Sequence, residues 1–534
     1  MIRGSDNGIR LPAGAVSFMR TARVTLLCAL GLLTGRAPLA AQAVDRTDTP
    51  PAGAVRVTFD PRITTWDEVY TDAGLARLGA PISGDTVGGA HIPQIARMEQ
   101  DARTASGVAG FVASLGQGLL SAHQERRVTP ITVEVGLTDR LSFAVTVPIV
   151  RVATRTSYQL KPAGASLGAN PLATTAGADQ EYSGFFSQFD NSLVQLADSI
   201  NTGHYGCPSA PSCATAQALL ARGQAVRDAL DRTVYGVGTT GSPYMPRSDS
   251  DAGVGITNTV STIQQQLQTT YHVPGFNTTF LLPADTVNAD QFASLLNDTT
   301  FGFGYLPFRN TWHYGLGDIE LKAKYRVVPS SAYAAAFAAI VRLPTATRDS
   351  TLEVLDIPIG GHQTALEADV IQELTLFRHL WLNLSVRGGK STGSTRAARV
   401  APLDAFLVPY QATTVFNWDI GDYVAVDFAP MYKLARQFAV GVTAGYFAKR
   451  ADRYAYQSTQ DSVDVADRLG APVPASVLAE GTADSWVRVG VAVTYAVPEV
   501  EGSFSVEKTV SGAGGQVPDA TVFRLVMRVT RKLF

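Results

Sequence analysis

The stretch YGLGDIELKAKYRV, residues 314–327, decides the fold. From residue 319 its odd positions carry Ile, Leu, Ala, Tyr and Val. Its even positions begin with Leu316 and continue with Asp318, Glu320, Lys322, Lys324 and Arg326. Successive side chains of a strand point to opposite faces, so this period of two predicts a β-strand with one apolar and one ionic face. The fold then depends on whether the apolar face meets a protein core or lipid.

The amino-acid composition favours lipid as the environment of the apolar face. The chain has 534 residues, a net charge of −2 and 17% charged residues, against roughly 25% in soluble domains. The balanced charge argues against nucleic acid as a partner, which calls for a basic surface. The longest apolar runs, 24–33 and 333–341, are far shorter than the ~18–20 residues of a membrane-spanning helix. A membrane protein of this sequence must therefore span by strands.

The N-terminus is typical of an exported protein. Residues 19–43 hold Arg20 and Arg23, then an apolar run at 24–33, then the cleavage motif Ala-Gln-Ala at 41–43. This order predicts a secretory signal peptide. Residues 1–18 precede a plausible start at Met19 and are interpreted as a mis-called extension. The mature chain keeps two cysteines, Cys207 and Cys213, and the oxidising compartment predicts a local disulfide between them.

Alternating segments recur along the chain as hairpins with short turns. The segments of these hairpins are 131–149, 319–343, 366–386, 424–446 and 487–506, with a first strand at 55–65 and a last at 522–534. The other connections are long: 158–313, 347–362, 393–420, 453–484 and 511–519. Short turns on one side and long loops on the other predict an antiparallel up-and-down outer-membrane barrel with periplasmic turns. The count is twelve strands, or fourteen if 109–122 adds a pair.

The charges fall on one parity of these strands, which a barrel in lipid turns toward its lumen. A lipid-facing Lys or Arg at mid-bilayer costs about 2–4 kcal/mol. Because the signs are mixed, we expect a lattice of salt bridges around the axis. The predicted lumen-lining residues are Glu134, Asp318, Glu320, Lys322, Lys324, Arg326, Arg342, Glu367, Asp369, Glu373, Arg387, Asp427, Arg488, Glu507, Arg524 and Arg528.

Aromatic residues near strand ends predict interfacial girdles. Trp381 falls on the ionic parity and is excluded from them. The terminal Phe534 resembles the aromatic signal read by the barrel assembly machinery, although Lys532 stands where that signal usually has an apolar residue. The predicted girdle residues are Tyr325, Tyr333, Phe377, Tyr432, Phe438, Tyr446, Trp486 and Tyr495.

The domain plan follows: strands and a helical loop in 44–158, an insertion in 159–313, and the remaining strands in 314–534. The insertion has helical periodicity at 181–200, 214–233, 258–271 and 290–297, and the first loop has it at 92–105. A block this long is not a passive connection. It caps the pore, folds partly into the lumen or binds an extracellular partner.

Chemistry-bearing patterns are sparse. The seven histidines are scattered, and His313 and His362, with Asp349 and Glu353, form the best catalytic candidate. Solvated rim histidines are the favoured explanation of this group, and no phosphate-binding loop occurs. We therefore expect no enzyme, no cofactor and no metal.

Three motifs resemble one family. GLTDRL at 136–141 followed by Val147-Pro148, GLGD at 315–318 and RLPT at 342–345 are similar to the MetA-like outer-membrane barrels, named for the meta-pathway of phenol degradation and distantly similar to long-chain fatty-acid transporters. The resemblance covers most of the barrel but not 159–310. It implies passage of small, often hydrophobic or aromatic, solutes and brings no catalytic residues.

The expected function is therefore passive uptake through an outer-membrane channel, whose partners are membrane lipid, the assembly machinery and a small solute. The alternative is a surface-binding or structural barrel in which 159–310 binds an extracellular partner. Oligomeric state and the openness of the lumen stay undecided at this point.

Overall fold

The computed structural model describes residues 45–533 except 72, 239–240, 349, 378, 402–405, 498 and 516. The signal peptide at 19–43, the extension at 1–18 and Phe534 lie outside the described residues. No helix among the described residues is long and apolar enough to cross a membrane.

One antiparallel sheet dominates the structure and closes on itself. Its fourteen segments form twelve strands, because two strands are each interrupted once. The prediction of twelve strands is confirmed and the alternative of fourteen is wrong, since residues 117–122 extend a strand that continues to 136. The strands are β1 (Ala54–Phe59 and Arg62–Trp66), β2 (Gln117–Gly136), β3 (Leu141–Lys161), β4 (Thr311–Leu316 and Glu320–Pro329), β5 (Tyr333–Arg342), β6 (Ala365–Leu376), β7 (Leu380–Ser391), β8 (Tyr423–Lys433), β9 (Phe438–Lys449), β10 (Ser485–Ala496), β11 (Val500–Ala513) and β12 (Thr521–Lys532).

The barrel closes because the first strand, β1, pairs with both the second and the last strand. Residue Val57 of β1 lies opposite Val133 of β2 on one side and Val529 of β12 on the other. The ladder therefore has no free edge, which satisfies the backbone hydrogen bonds that lipid cannot provide.

The interruption in β4 corrects one detail of the sequence prediction. Residues 314–327 are not one continuous strand, because pairing stops between Leu316 and Glu320. Across the break the parity reverses: Trp312, Tyr314 and Leu316 are exposed on the outside. Leu316 thus does not share a face with the charges that follow it, and Asp318 lies in the break itself.

Apolar side chains cover the outside of the barrel. The outward parity of every strand except β7 carries large hydrophobic residues that are more than a third exposed, which a soluble protein avoids over so large a surface. This is the inverted arrangement of a barrel whose solvent is lipid. Examples are Ile131, Phe143, Phe337, Val442, Val491, Phe504 and Met527.

Helices form a separate layer at the end of the barrel where the loops are long. The predicted helical patches are confirmed: α1 (Pro93–Ser106), α2 (Ala178–Asn201), α3 (Pro211–Tyr235), α4 (Asp251–Gln265) and α5 (Ala289–Asn297). We call α1 and residues 162–310 the cap. Its core includes Tyr182, Phe185 and Phe189, all fully buried. A sixth helix, α6 (Thr459–Leu469), lies in the connection between β9 and β10.

The outward apolar face gives a direct prediction. Val491→Lys, at a 62% exposed position in the middle of β10, should destabilise folding into lipid vesicles by about 2–4 kcal/mol, because Lys at mid-bilayer is poorly solvated. Urea titration of the vesicle-inserted protein measures this free energy. The matched control is Val415→Lys, an exposed valine in a small sheet outside the barrel, which should change stability little. Equal losses at the two positions would contradict a lipid-facing β10.

Candidate functional site

The interior of the barrel holds the first described residues of the chain. We call residues 45–53 the lumen segment. Arg46 bonds Glu501 of β11 at 2.7 Å and lies 3.9 Å from Glu373 of β6. Strands β6 and β11 lie on opposite sides of the wall. A single side chain can reach both only from inside, so the segment runs through the lumen.

Charge pairs hold the first four residues of the lumen segment against the wall. Asp45 accepts a bond from Lys322 of β4 at 2.6 Å, and this ammonium holds the pKa of Asp45 well below its usual range. Asp48 bonds Arg56 of β1 at 2.5 Å. Burial alone would raise the pKa of Asp48, but Arg46 and Arg56 outweigh it and lower that pKa. Each carboxylate therefore keeps its negative charge while it is paired with these cations.

The segment enters from the side of the short turns. The Thr49 hydroxyl donates to the carbonyl of Asp139, and the amide of Ala52 donates to its carboxylate. Asp139 belongs to the turn between β2 and β3, which topology places in the periplasm. The lumen segment thus rises from the periplasmic end to the level of Lys322.

The wall around the segment is an ionic lattice that spans neighbouring strands. Lys324 bonds Glu134 at 3.1 Å, and Arg56 approaches the same carboxylate at 3.3 Å. Arg342 bonds Glu320 at 2.8 Å and Glu367 at 3.1 Å. Such pairs require both partners, because an uncompensated buried charge is costly. The remaining contacts are Arg387 with Glu320 and Glu367, Asp369 with Ser385 and Lys322, Arg524 with Asp60, and Arg528 with Glu501.

On the opposite part of the wall, β8 to β11, inward charges lie beside glycines. Asp427 is on the inward parity and yet exposed, and Gly445 of β9 lies opposite it. Gly490 of β10 lies opposite Thr443 of β9 and Glu507 of β11. Arg488 and Glu507 are on the inward parity and half-buried.

Asp318 binds backbone groups of a loop, a role that its sequence pattern did not predict. From the break in β4 it accepts backbone N–H groups of Ala346, at 3.0 Å, and of Gly361 and His362, at 2.7 and 3.2 Å. These three groups belong to the connection between β5 and β6, residues 343–364, which we call the mouth loop. Asp318 therefore ties both ends of this loop to the wall instead of lining an open path.

The mouth loop folds inward. The carbonyl of Leu355 accepts bonds from Gln124 of β2 and Thr154 of β3, both on the inward parity. Farther along, Ile357 and Ile359 are buried against inward residues of the wall, Trp66, Val150 and Val152. The loop thus occupies the extracellular half of the lumen, as the lumen segment occupies the periplasmic half.

Three aromatic rings form a stack on the inward side. Phe447 lies between Tyr423 and Trp486, with ring centroids 5.6 and 5.4 Å apart and nearly parallel planes. The guanidinium of Arg488 sits 4.0 Å from the Trp486 ring centroid, a cation–π geometry. Trp486 therefore does not belong to the outer girdle, and that prediction is wrong. Its alternation with the outward Val489 and Val491 could have revealed this.

The histidine candidate separates into two unrelated contacts. His313 lies on the inward parity of β4 and bonds Glu353 of the mouth loop at 2.9 Å. His362 bonds the carbonyl of Ala346 and receives a bond from Arg348, and Asp349 lies outside the described residues.

In the cap, the sulfur atoms of Cys207 and Cys213 lie at bonding distance, 2.18 Å.

No family model matches the chain, and no curated protein matches it. The fold is similar to solved outer-membrane barrels. An outer membrane channel from Pseudomonas putida F1 is 8% identical, with 91% of this chain and 100% of that chain covered and a TM-score of 0.40. The toluene transporter TbuX of Ralstonia pickettii is 9% identical, with 90% of each covered and a TM-score of 0.29.

A third similar structure is the translocator domain of the autotransporter NalP from Neisseria meningitidis, 6% identical, with 97% of each chain covered and a TM-score of 0.30. These scores are low, so we argue function from the residues of this chain alone. The closed barrel with its apolar outer face is an outer-membrane protein.

The anchoring role of Asp318 is testable. Asp318→Ala should free the mouth loop, because three backbone N–H groups lose their acceptor at roughly 1–3 kcal/mol for each buried group left unpaired. Amide hydrogen exchange at Gly361 and His362 should accelerate by at least tenfold. Asp427→Ala removes an exposed inward carboxylate and is the control, expected to leave exchange in the loop unchanged. Unaltered protection in Asp318→Ala would show that another contact holds the loop.

Proposed function

We propose that this chain is a gated outer-membrane channel for passive uptake of small solutes, with hydrophobic or aromatic compounds as the preferred class. The observation that carries the proposal is the lumen segment, which contacts the inner wall from the Asp139 turn to Lys322 and is held there by ion pairs rather than by an apolar core. A purely structural barrel has no need of a removable ionic filling. The mouth loop would be the second gate, at the extracellular end.

The path would run along the wall formed by β8 to β11. Asp427, Arg488 and Glu507 would line it. The stack of Tyr423, Phe447 and Trp486 on the same side offers flat apolar faces within a polar lumen, which suits an aromatic ring more than a sugar or an ion. This agrees with the solute class implied by the MetA-like resemblance.

The other charged residues would have a bracing role. Glu134, Lys324, Glu320, Arg342, Glu367 and Arg387 neutralise one another across strands β2 to β7. They would keep the lumen wetted while presenting no uniform field to a solute. The proposal includes no catalytic step, and His313 and His362 would not act as a catalytic pair.

The cap supports a second candidate function, a surface-binding barrel. It buries its own aromatic core between α2 and the residues around Phe276 and Phe280, which a simple lid does not need. In this alternative the lumen stays closed and the cap binds an extracellular partner. Replacing residues 162–310 by a short linker distinguishes the two, since a lid removed from a channel raises solute flux, whereas a binding module removed from a closed barrel does not.

The lumen segment predicts the behaviour of an Arg46 variant. Arg46→Ala should raise the open probability in planar bilayers by tenfold or more, because breaking a buried ion pair costs about 3–5 kcal/mol and 1.4 kcal/mol corresponds to a tenfold change. The control is Arg531→Ala, an exposed arginine at the end of β12, which should conduct like the wild type. A silent Arg46→Ala protein that is folded and inserted would contradict gating by this segment.

The aromatic stack predicts selectivity. Trp486→Ala should lower the flux of phenol or toluene into liposomes by roughly three- to tenfold, because each aromatic pair contributes about 0.5–1.5 kcal/mol, while flux of a small polar solute such as glycine should not fall. Trp418→Ala, in the small sheet outside the barrel, is the matched control. Equal losses for aromatic and polar solutes would indicate a general defect rather than recognition by the stack.

A further inference from the structure

Three potential metal ligands converge where the mouth loop meets the wall. Donor atoms of His313, Glu353 and Asp356 all lie within 4.8 Å of one another. The Nε2 atom of His313 is 2.9 Å from one carboxylate oxygen of Glu353 and 3.1 Å from the other. Both carboxylate oxygens of Glu353 therefore lie within hydrogen-bond distance of the same ring nitrogen.

The supporting elements bring these ligands together for separate reasons. His313 points inward because its neighbours in β4, Trp312 and Tyr314, occupy the outward parity and are about 60% exposed, at 62% and 59%. Glu353 and Asp356 flank the point where the mouth loop passes from cap to lumen. Val354 and Leu355 pack against a second hydrophobic cluster that includes Ile95 of α1 and Phe292 of α5, and Ile357 already packs in the lumen. One ion here would contact wall and loop at once.

Glu353 supplies a second reason to expect a cation. Its side chain is only 9% exposed and contacts His313, which carries a charge only when protonated. A carboxylate buried to this degree is stabilised by a positive charge close by. The neighbouring Asp356 brings further carboxylate oxygens to the same point, which favours a divalent cation over a monovalent one.

We propose that His313, Glu353 and Asp356 bind a divalent transition-metal ion, Zn²⁺ in the first instance, and that the bound ion holds the mouth loop against β4. One imidazole and two carboxylates suit zinc and its neighbours, whereas calcium and magnesium prefer oxygen ligands alone. Three protein ligands leave a tetrahedral position for water. The effect on the channel rests on the proposed function, but metal binding does not.

Binding is measured on the full-length mature protein in detergent, without a histidine tag, by isothermal titration with Zn²⁺ and by the visible spectrum with Co²⁺. We expect one equivalent bound, with affinity at least tenfold lower in His313→Ala and in Glu353→Gln, because even outer-shell changes cost 10–100-fold. Tetrahedral Co²⁺ bands should disappear in both variants.

The control is His123→Ala. His123 and Asp67 also form a histidine–carboxylate pair, at 2.6 Å, on the outside of the barrel, so a nonspecific imidazole effect would appear there too. Binding by wild type and His123→Ala but not by His313→Ala supports the site. Absence of binding in the wild type, or equal binding in every variant, overturns it.

Coupling to the channel is measured separately, with Zn²⁺ and EDTA added to single-channel recordings of the Arg46→Ala background. Zn²⁺ should lower the open probability by at least tenfold, and His313→Ala should abolish that response. Metal that binds without changing conductance overturns the coupling to the loop. Failure of the Arg46→Ala protein to conduct at all, with metal binding intact, would instead refute the proposed channel.

Discussion

The structure depends on the pairing of β1 with β12. Lipid offers no hydrogen-bonding partners, so every backbone group at membrane depth must bond within the protein. A sheet of this size satisfies that condition only when its first and last strands meet, and the register from Val57 to Val529 shows that they do. Closure also creates an enclosed space, and the ionic residues that cannot face lipid are then confined to it.

Confinement explains why the interior is a lattice rather than a set of isolated charges. Lys324 is 7% exposed and Asp369 is fully buried, so each needs a partner of opposite sign close by. Residues of the wall alone do not neutralise every buried charge. Lys322, Arg56 and Glu501 are completed by Asp45, Asp48 and Arg46 of the lumen segment, which makes closure of the lumen part of the electrostatics of the barrel.

The barrel was predictable from sequence because its information is local. Period-two alternation, turn residues and connection lengths predicted twelve strands, and the helical periodicity of the insertion predicted its helices. The sequence pattern did not reveal the interruption of β4. Leu316 occupies an even position like the charged residues that follow it, but it is apolar and faces outward. The proline in β1 at Pro61 interrupts that strand in a similar way, where a missing N–H weakens the ladder.

The contents of the lumen were not predictable in this way. Residues 45–53 have no periodicity, and the partners of Asp45 and Arg46 lie hundreds of positions away in sequence. The anchoring by Asp318 also depends on backbone groups of a loop, which no residue pattern encodes. The pairing of His313 with Glu353 required knowing that the mouth loop folds inward, because on sequence alone the two residues are merely rim candidates.

The central claim is that the lumen segment lies inside the barrel between β6 and β11. Its most direct test replaces Arg46 and Glu501 by cysteine and treats intact outer membranes with a short thiol cross-linker. A second variant with cysteines in place of Arg46 and the outward Val491 is the comparison. The account predicts an efficient intramolecular cross-link for the first pair and none for the second. No link at the first pair, with both thiols shown to be reactive, would contradict it.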